Sequence, residues 1–184
     1  MSLEINLDTS FDRIFHEPIV LLLFDERLPL HGYPGIVDWE LCGELSRMIA
    51  ERKFEGKEKA RMILYLRSSC HHGRKVLVYG LGKKNTLTSN KLSMLTEDLL
   101  VALSNLSLYN VVHVMPSLYD LNSDVQGLLA GAAYTILKFT SAEDREYRFW
   151  LMWDGVSRSD IVNSFKGATG ILPDAPLSII EKED

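Results

Sequence analysis

Lys75-Val76-Leu77-Val78-Tyr79-Gly80-Leu81-Gly82-Lys83 is the stretch on which the fold turns. Its first half is continuously apolar after the lysine, as a strand covered by other elements on both faces has to be. The strand is expected over residues 75–79, and it runs into the glycine-rich second half. Immediately upstream, residues 60–66 read as another strand, and Ser68-Ser69-Cys70-His71-His72-Gly73 as the turn between the two. A connection that short joins antiparallel neighbours, so one hairpin is expected in the sheet.

Working outward, Pro18 opens a second buried strand at residues 19–24, Ile-Val-Leu-Leu-Leu-Phe, which stops at Asp25-Glu26-Arg27. A loop with Pro29, Gly32, Pro34 and Gly35 follows. A single helix is then predicted from about Val37 or Asp38, because Val37, Leu41, Leu45, Met48 and Ile49 repeat at helical spacing opposite Glu40, Glu44, Arg47 and Glu51. Gly56 falls in the loop beyond it.

Downstream of the hairpin, Leu92, Leu95, Leu99, Ala102, Leu103 and Leu106 mark an amphipathic helix beginning near Ser89. Residues 111–115 form a third buried strand closed by Pro116. Ser123 and Gln126 resemble a capping box for a helix carrying Val125, Leu128, Leu129, Ala132, Ala133 and Ile136. Gly127, Gly131 and the alanines would let that helix sit close to a sheet. Residues 147–153 read as a strand, residues 160–165 as a short helix, and the remainder as a Gly/Pro-rich tail. Residues 3–7 read as a short edge strand or a loose arm. Strands alternating with helices after a hairpin predict an α/β fold: a three-layer α/β/α sandwich around a mixed, mostly parallel sheet. One domain over residues 1–184 is expected, with its core at about 17–155 and a C-terminal helix and tail at 156–184.

The 184 residues can bury roughly 70% of the surface of the unfolded chain, so no disulfide or metal staple is required. Hydrophobic residues at 46% and a net charge of −5 fit an ordinary globular protein and argue against a nucleic-acid or anionic-membrane partner. No apolar run approaches the ~20 residues that span a bilayer. The N-terminus lacks the basic segment and apolar stretch of a secretory signal. Cys42 and Cys70 read as free thiols, which places the chain in a reducing, cytoplasmic compartment.

No complete catalytic constellation is visible. Cys70-His71-His72 holds metal-ligating residue types, but adjacent residues in a turn rarely aim at one point, and no second pair has ligand spacing. His16, His31 and His113 are scattered. Asp25-Glu26 ends a strand, where adjacent carboxylates are usually solvated. No Gly-x-Ser-x-Gly elbow occurs. Phe149, Trp150 and Trp153 have rings that could stack on a base, yet on an alternating strand they read as packing. No catalytic residue, metal ligand or cofactor is therefore assigned. The best ligand site lies at the carboxyl ends of the strands, where open α/β sheets place ligands. It would comprise Asp25, Gly80, Gly82 and Lys83, with Pro116 and Ser117 on the neighbouring strand. Glycines there allow close approach of a phosphate, although the pattern is neither a dinucleotide fingerprint nor a P-loop. The plainer reading is a tight strand exit.

The order of elements, with Asp38-Trp39 and Gly43-Glu44-Leu45-Ser46 on the first helix and Lys75–Lys83 on a strand, resembles the N-terminal domain of the M17 leucyl aminopeptidases. Gly127-Leu128-Leu129-Ala130-Gly131-Ala132-Ala133-Tyr134, followed by Leu137-Lys138-Phe139, is similar to the helix that closes that domain. The resemblance covers about residues 17–155 and implies a macro-domain-like fold. It also implies that catalysis belongs to a separate C-terminal domain, whose metal ligands include an Asn-Thr-Asp-Ala-Glu-Gly-Arg segment that this sequence does not contain. The expectation is a stand-alone, non-catalytic relative that acts in assembly or protein binding, as a homo-oligomer or with a protein partner. The alternative is a macro-type binder of a small molecule, a nucleotide or an ADP-ribose-like ligand; no Asn-Ala-Ala-Asn-like stretch supports it.

Overall fold

Every residue of Ile19-Val20-Leu21-Leu22-Leu23-Phe24 is buried, so the strand they form, β2, has to be covered on both faces. The computed structural model describes residues 2–7, 17–25, 28–66, 74–118, 124–153 and 155–180. Around β2 it builds a seven-stranded sheet from β1 (Ser2–Asn6), β3 (Arg61–Leu66), β4 (Arg74–Gly82), β5 (Asn110–Met115), β6 (Glu146–Trp153) and β7 (Leu177–Ile180). The order is β3-β4-β2-β5-β6-β1-β7. Only β3 and β4 run antiparallel, with Arg61 opposite Tyr79 and Leu64 opposite Val76, as the short connection between them predicts.

Side-chain alternation splits the sheet between two cores. Ile19, Leu21, Leu23, Val76, Val78, Val112, Val114, Trp150 and Met152 face α1 (Gly32–Glu40) and α2 (Glu44–Ala50). Val20, Leu22, Leu77, Tyr79, Val111, Phe149 and Leu151 face α3 (Ser89–Asn105), α4 (Val125–Ala142) and α5 (Arg158–Ile171). The sandwich is thus three layers deep, with a mixed, mostly parallel sheet, as the sequence predicts.

Several local expectations are corrected. The helix predicted from Val37 is two helices, because Cys42 and Gly43 take positive φ values of 55° and 75° between them. Buried Asp38 ties the halves together by accepting hydrogen bonds from the amide of Ser46, at 3.0 Å, and from its hydroxyl. Gly32, Pro34 and Gly35, read as loop, lie in α1; a proline in the first turn costs little because its N–H would be unpaired there anyway. The residue before α4 is Asp124, not Ser123, which lies outside the described residues. Gly131 faces α3 and not the sheet: a Cβ there would sit 2.7 Å from the Ser89 hydroxyl, which itself donates to the Gly127 carbonyl at 2.8 Å. The terminal helix is longer than predicted, starting at a Ser157 cap that accepts from the Asp160 amide. The tail beyond it forms β7. β1 is neither edge nor arm, but lies between β6 and β7, parallel to both.

On β5, His113 is buried beside Phe149 and Trp153, at ring separations of 6.4 and 6.3 Å. Its Nδ1 has no hydrogen-bond partner among the described residues. Desolvation alone pushes its pKa down to about 4, from an ordinary value of 6.5. Unfolding therefore takes up a proton between those values, so the stability that neutral His113 permits is complete above pH 6.5 and is lost as the pH falls toward 4. Between pH 7.5 and 5 wild type should lose about 2 kcal/mol more than His113→Leu, measured by urea denaturation at each pH. Parallel pH profiles for the two proteins would refute this.

Candidate functional site

Three strands deliver the predicted ligand-site residues to one edge of the sheet. β2 ends into Asp25, β4 ends at Gly82 and Lys83, and β5 ends into Pro116 and Ser117. Asp25 and Lys83 are exposed, Ser117 is half-buried, and Gly80, Gly82 and Pro116 are buried. The amide of Asp25 donates to the Gly82 carbonyl at 2.8 Å, which fixes the β2 and β4 exits to each other.

The glycines of the β4 exit are occupied by the chain itself. Residues 56–60 cross the end of β4 so closely that a Cβ on Gly80 would overlap the Lys57 carbonyl. One on Gly56 would overlap the carbonyl of Phe24, and one on Gly82, whose φ is +77°, would run into the Glu58 side chain. The Gly82 amide donates to Gly56 at 2.9 Å, and the Gly80 amide to Ala60 at 2.8 Å. The Gly80 carbonyl accepts from Lys59 at 3.0 Å. Backbone groups that might have cradled an anion are therefore engaged within the chain. Lys84, not Lys83, lies over an aromatic face, 6.0 Å from the Phe24 ring.

A polar cluster that the sequence reading passes over joins the hairpin to α3. Asp98 accepts from the Tyr79 hydroxyl at 2.7 Å and pairs with Arg61 at 2.5 Å, with Lys59 at 3.9 Å. Burial works against the charge on Asp98, but the hydrogen bonds from Tyr79 and Arg61 prevail and hold its carboxyl below the usual range. Burial, then the bond to Asp98, raises the Tyr79 hydroxyl above its ordinary value, so it stays protonated as a donor. The available signal was a charged residue on the apolar side of a helix, between Leu95, Leu99 and Ala102.

The other candidates scatter. Phe149, Trp150 and Trp153 are buried as packing. His31 is an exposed residue at the start of α1. Glu26, His16 and Cys70-His71-His72 lie outside the described residues. Among the described residues no group of three or more His, Cys, Asp or Glu is placed to hold a metal ion, and no helix is long and apolar enough to cross a membrane.

Concave surface is found instead around β3 and the α1–α2 turn. One groove of about 460 Å³ is lined by Glu40, Leu41, Cys42, Glu44 and residues 63–65. An adjoining hollow of about 620 Å³ runs past Asp38 and Trp39, the latter 76% exposed. On the opposite face, Arg61, Ile63, Leu77, Ala102 and Leu106 border a space of about 290 Å³.

The profile of the cytosol aminopeptidase family, N-terminal domain, matches residues 20–148. No curated protein matches the chain in sequence. Among solved structures, a tomato leucine aminopeptidase mutant aligns over 94% of this chain and 36% of its own, with 19% identity and a TM-score of 0.66. The chain thus spans about a third of that enzyme's length. An Oceanobacillus iheyensis macrodomain mutant aligns over 94% of this chain and 93% of its own, at 17% identity and a TM-score of 0.60. A Trypanosoma brucei macrodomain in complex with ADP covers 91% of this chain and 68% of its own, at 13% identity and a TM-score of 0.62. At these identities the structural likeness is one of fold.

The glycine packing carries a prediction with an internal control. Gly80→Ala should lower stability by about 2–3 kcal/mol, because the new methyl group meets backbone that cannot rotate away. Gly167→Ala, in the exposed interior of α5 with nothing within 4 Å, should raise it by about 0.5–1 kcal/mol. Equal effects in chemical denaturation would show that the 56–60 crossing does not constrain β4.

Proposed function

The chain belongs to the N-terminal domain family of the cytosol aminopeptidases, and from that premise we propose that it works as a non-catalytic assembly or protein-binding module. The observation that carries the reading is the surface around β3. There, open backbone, exposed Ile63 and Tyr65 and two grooves lie together, which is chemistry suited to another polypeptide. Asp38 and Asp98 are committed to Ser46 and to Tyr79 and Arg61. The described residues do not fit the metal centre of an aminopeptidase. Exposed Cys42 suits a reducing, cytoplasmic setting.

A second reading, a binder of ADP-like ligands at the strand ends, is favoured by the convergence of Asp25, Gly82, Lys83, Pro116 and Ser117 on one edge. The fold likeness to a macrodomain in complex with ADP raises the same possibility. Against it stand the engaged amides of Gly80 and Gly82.

The two readings separate in a thermal-shift panel of ADP, ADP-ribose, amino acids and dipeptides, run beside sedimentation velocity and a peptidase assay. The module reading expects a flat panel, no turnover and self-association or a stable protein complex. A ligand at a hundred times its dissociation constant adds about 2.7 kcal/mol, several degrees in melting temperature for a chain of this size. A shift of that size with ADP, lost in both Asp25→Asn and Lys83→Ala, would transfer the conclusion to the second reading. Chelator-sensitive aminopeptidase activity would overturn both.

A further inference from the structure

Among the described residues, β3 lies at the outer edge of the sheet, with β4 on one side of its backbone and no strand on the other. The Gly80 amide donates to the Ala60 carbonyl at 2.8 Å. Alternation along the antiparallel ladder then turns the backbone groups of Met62 and Leu64 toward β4, and leaves those of Arg61, Ile63 and Tyr65 pointing outward. The side chains of the last two are also open, at 41% and 54% exposure. Natural sheets guard such edges with proline, lysine, bulges or inward charges. Residues 61–65, Arg-Met-Ile-Leu-Tyr, contain no proline or lysine, and their pairing with β4 is unbroken. Their single charge, on Arg61, is tied to Asp98.

We propose that this edge pairs with the same edge of a second copy of the chain, antiparallel and two-fold symmetric about Ile63. The inference rests on the assembly reading above and names its surface and partner. Centred on Ile63, the register sets Ile63 against Ile63 and Arg61 against Tyr65 of the other copy, in both directions. All the outward-facing residues are then used, and each opposed pair exchanges both of its N–H···O=C bonds. A shift of one residue would oppose outward-facing groups to inward-facing ones, and a shift of two would leave one residue unpaired.

The side chains agree with the same register. The two isoleucines meet, each guanidinium lies beside a tyrosine ring, and no like charges stand opposite each other. A foreign strand could use the backbone, but a second copy supplies this complementarity along the whole edge, the mark of an isologous contact.

Site-directed cross-linking reads the register directly. In a Cys42→Ser, Cys70→Ser background, Ile63→Cys should form a disulfide-linked dimer under mild oxidation, because only the residue on the axis faces itself. Directly opposed strand residues lie about 5.5 Å apart between Cα atoms, within disulfide range. Arg61→Cys and Tyr65→Cys should each stay monomeric alone and cross-link when mixed. In sedimentation velocity, Ile63→Lys should weaken association roughly a hundredfold, as like charges set opposite one another in an interface do, with an unchanged circular dichroism spectrum. An oligomer that persists in Ile63→Lys, or cross-links equally at all positions, overturns this pairing but leaves assembly through another surface standing. A wild-type chain that stays monomeric at submillimolar concentration overturns the pairing together with self-assembly, and leaves the edge to a foreign strand.

Discussion

Backbone atoms of Gly56 and Lys57 press so closely on Gly80 that no side chain fits between them, and the arrangement of the strand ends follows from that contact. The crossing segment is hydrogen-bonded through Gly56, Lys59 and Ala60 to Gly80 and Gly82, and Gly82 in turn holds Asp25 at the end of β2. One constraint thereby locks β3, β4 and β2 together at their shared end. It also gives Gly80-Leu81-Gly82 a structural reason to be glycine-rich that involves no ligand. A phosphate cradle needs amide groups left over from the fold, and here the two glycine amides have been spent on the 56–60 segment.

The layers were legible because burial on both faces leaves an unmistakable pattern. Residues 19–24 and 111–115 can be read as central strands from their unbroken apolar character, and α3 and α4 from their period. What escaped the pattern has local causes. The break between α1 and α2 depends on Cys42 at a φ of 55°, a conformation that a non-glycine residue does not announce. β7 has only four residues in a stretch of mixed polarity and gains its place by pairing with β1. β1 was undervalued for a similar reason: position at the start of the chain says nothing about position in the sheet. Gly167 and Gly170 fall in the stretch read as a Gly/Pro-rich tail, yet the packing of Ile161, Val162, Phe165 and Ala168 carries α5 through them.

The candidate site was half legible. Topology placed Asp25, Gly82, Lys83, Pro116 and Ser117 at one edge, and pattern reading of the strand ends was enough for that. Which backbone groups there would be engaged depended on where residues 56–60 run, and nothing in their sequence fixes a crossing of β4. The Tyr79–Asp98–Arg61 cluster was hidden differently. Its members lie on three elements and become a unit only when α3 packs against the hairpin.

These two facts bear on each other. A doubly wound sheet offers a partner two kinds of surface, the carboxyl ends of its parallel strands and its lateral edges. In this chain the 56–60 crossing engages the glycine amides at the first. The Asp98 cluster, meanwhile, neutralises the one cation among residues 61–65, since Arg61 is turned to Asp98 and Tyr79 and not displayed alone on the edge. An unpaired Arg61 would repel an approaching basic strand; a paired one presents a nearly neutral, apolar β3 with its outward backbone groups still unmatched. The same side chains that fasten the hairpin to α3 therefore also leave the hairpin's outer strand receptive, which is why the association surface is proposed on β3 and not at the strand ends.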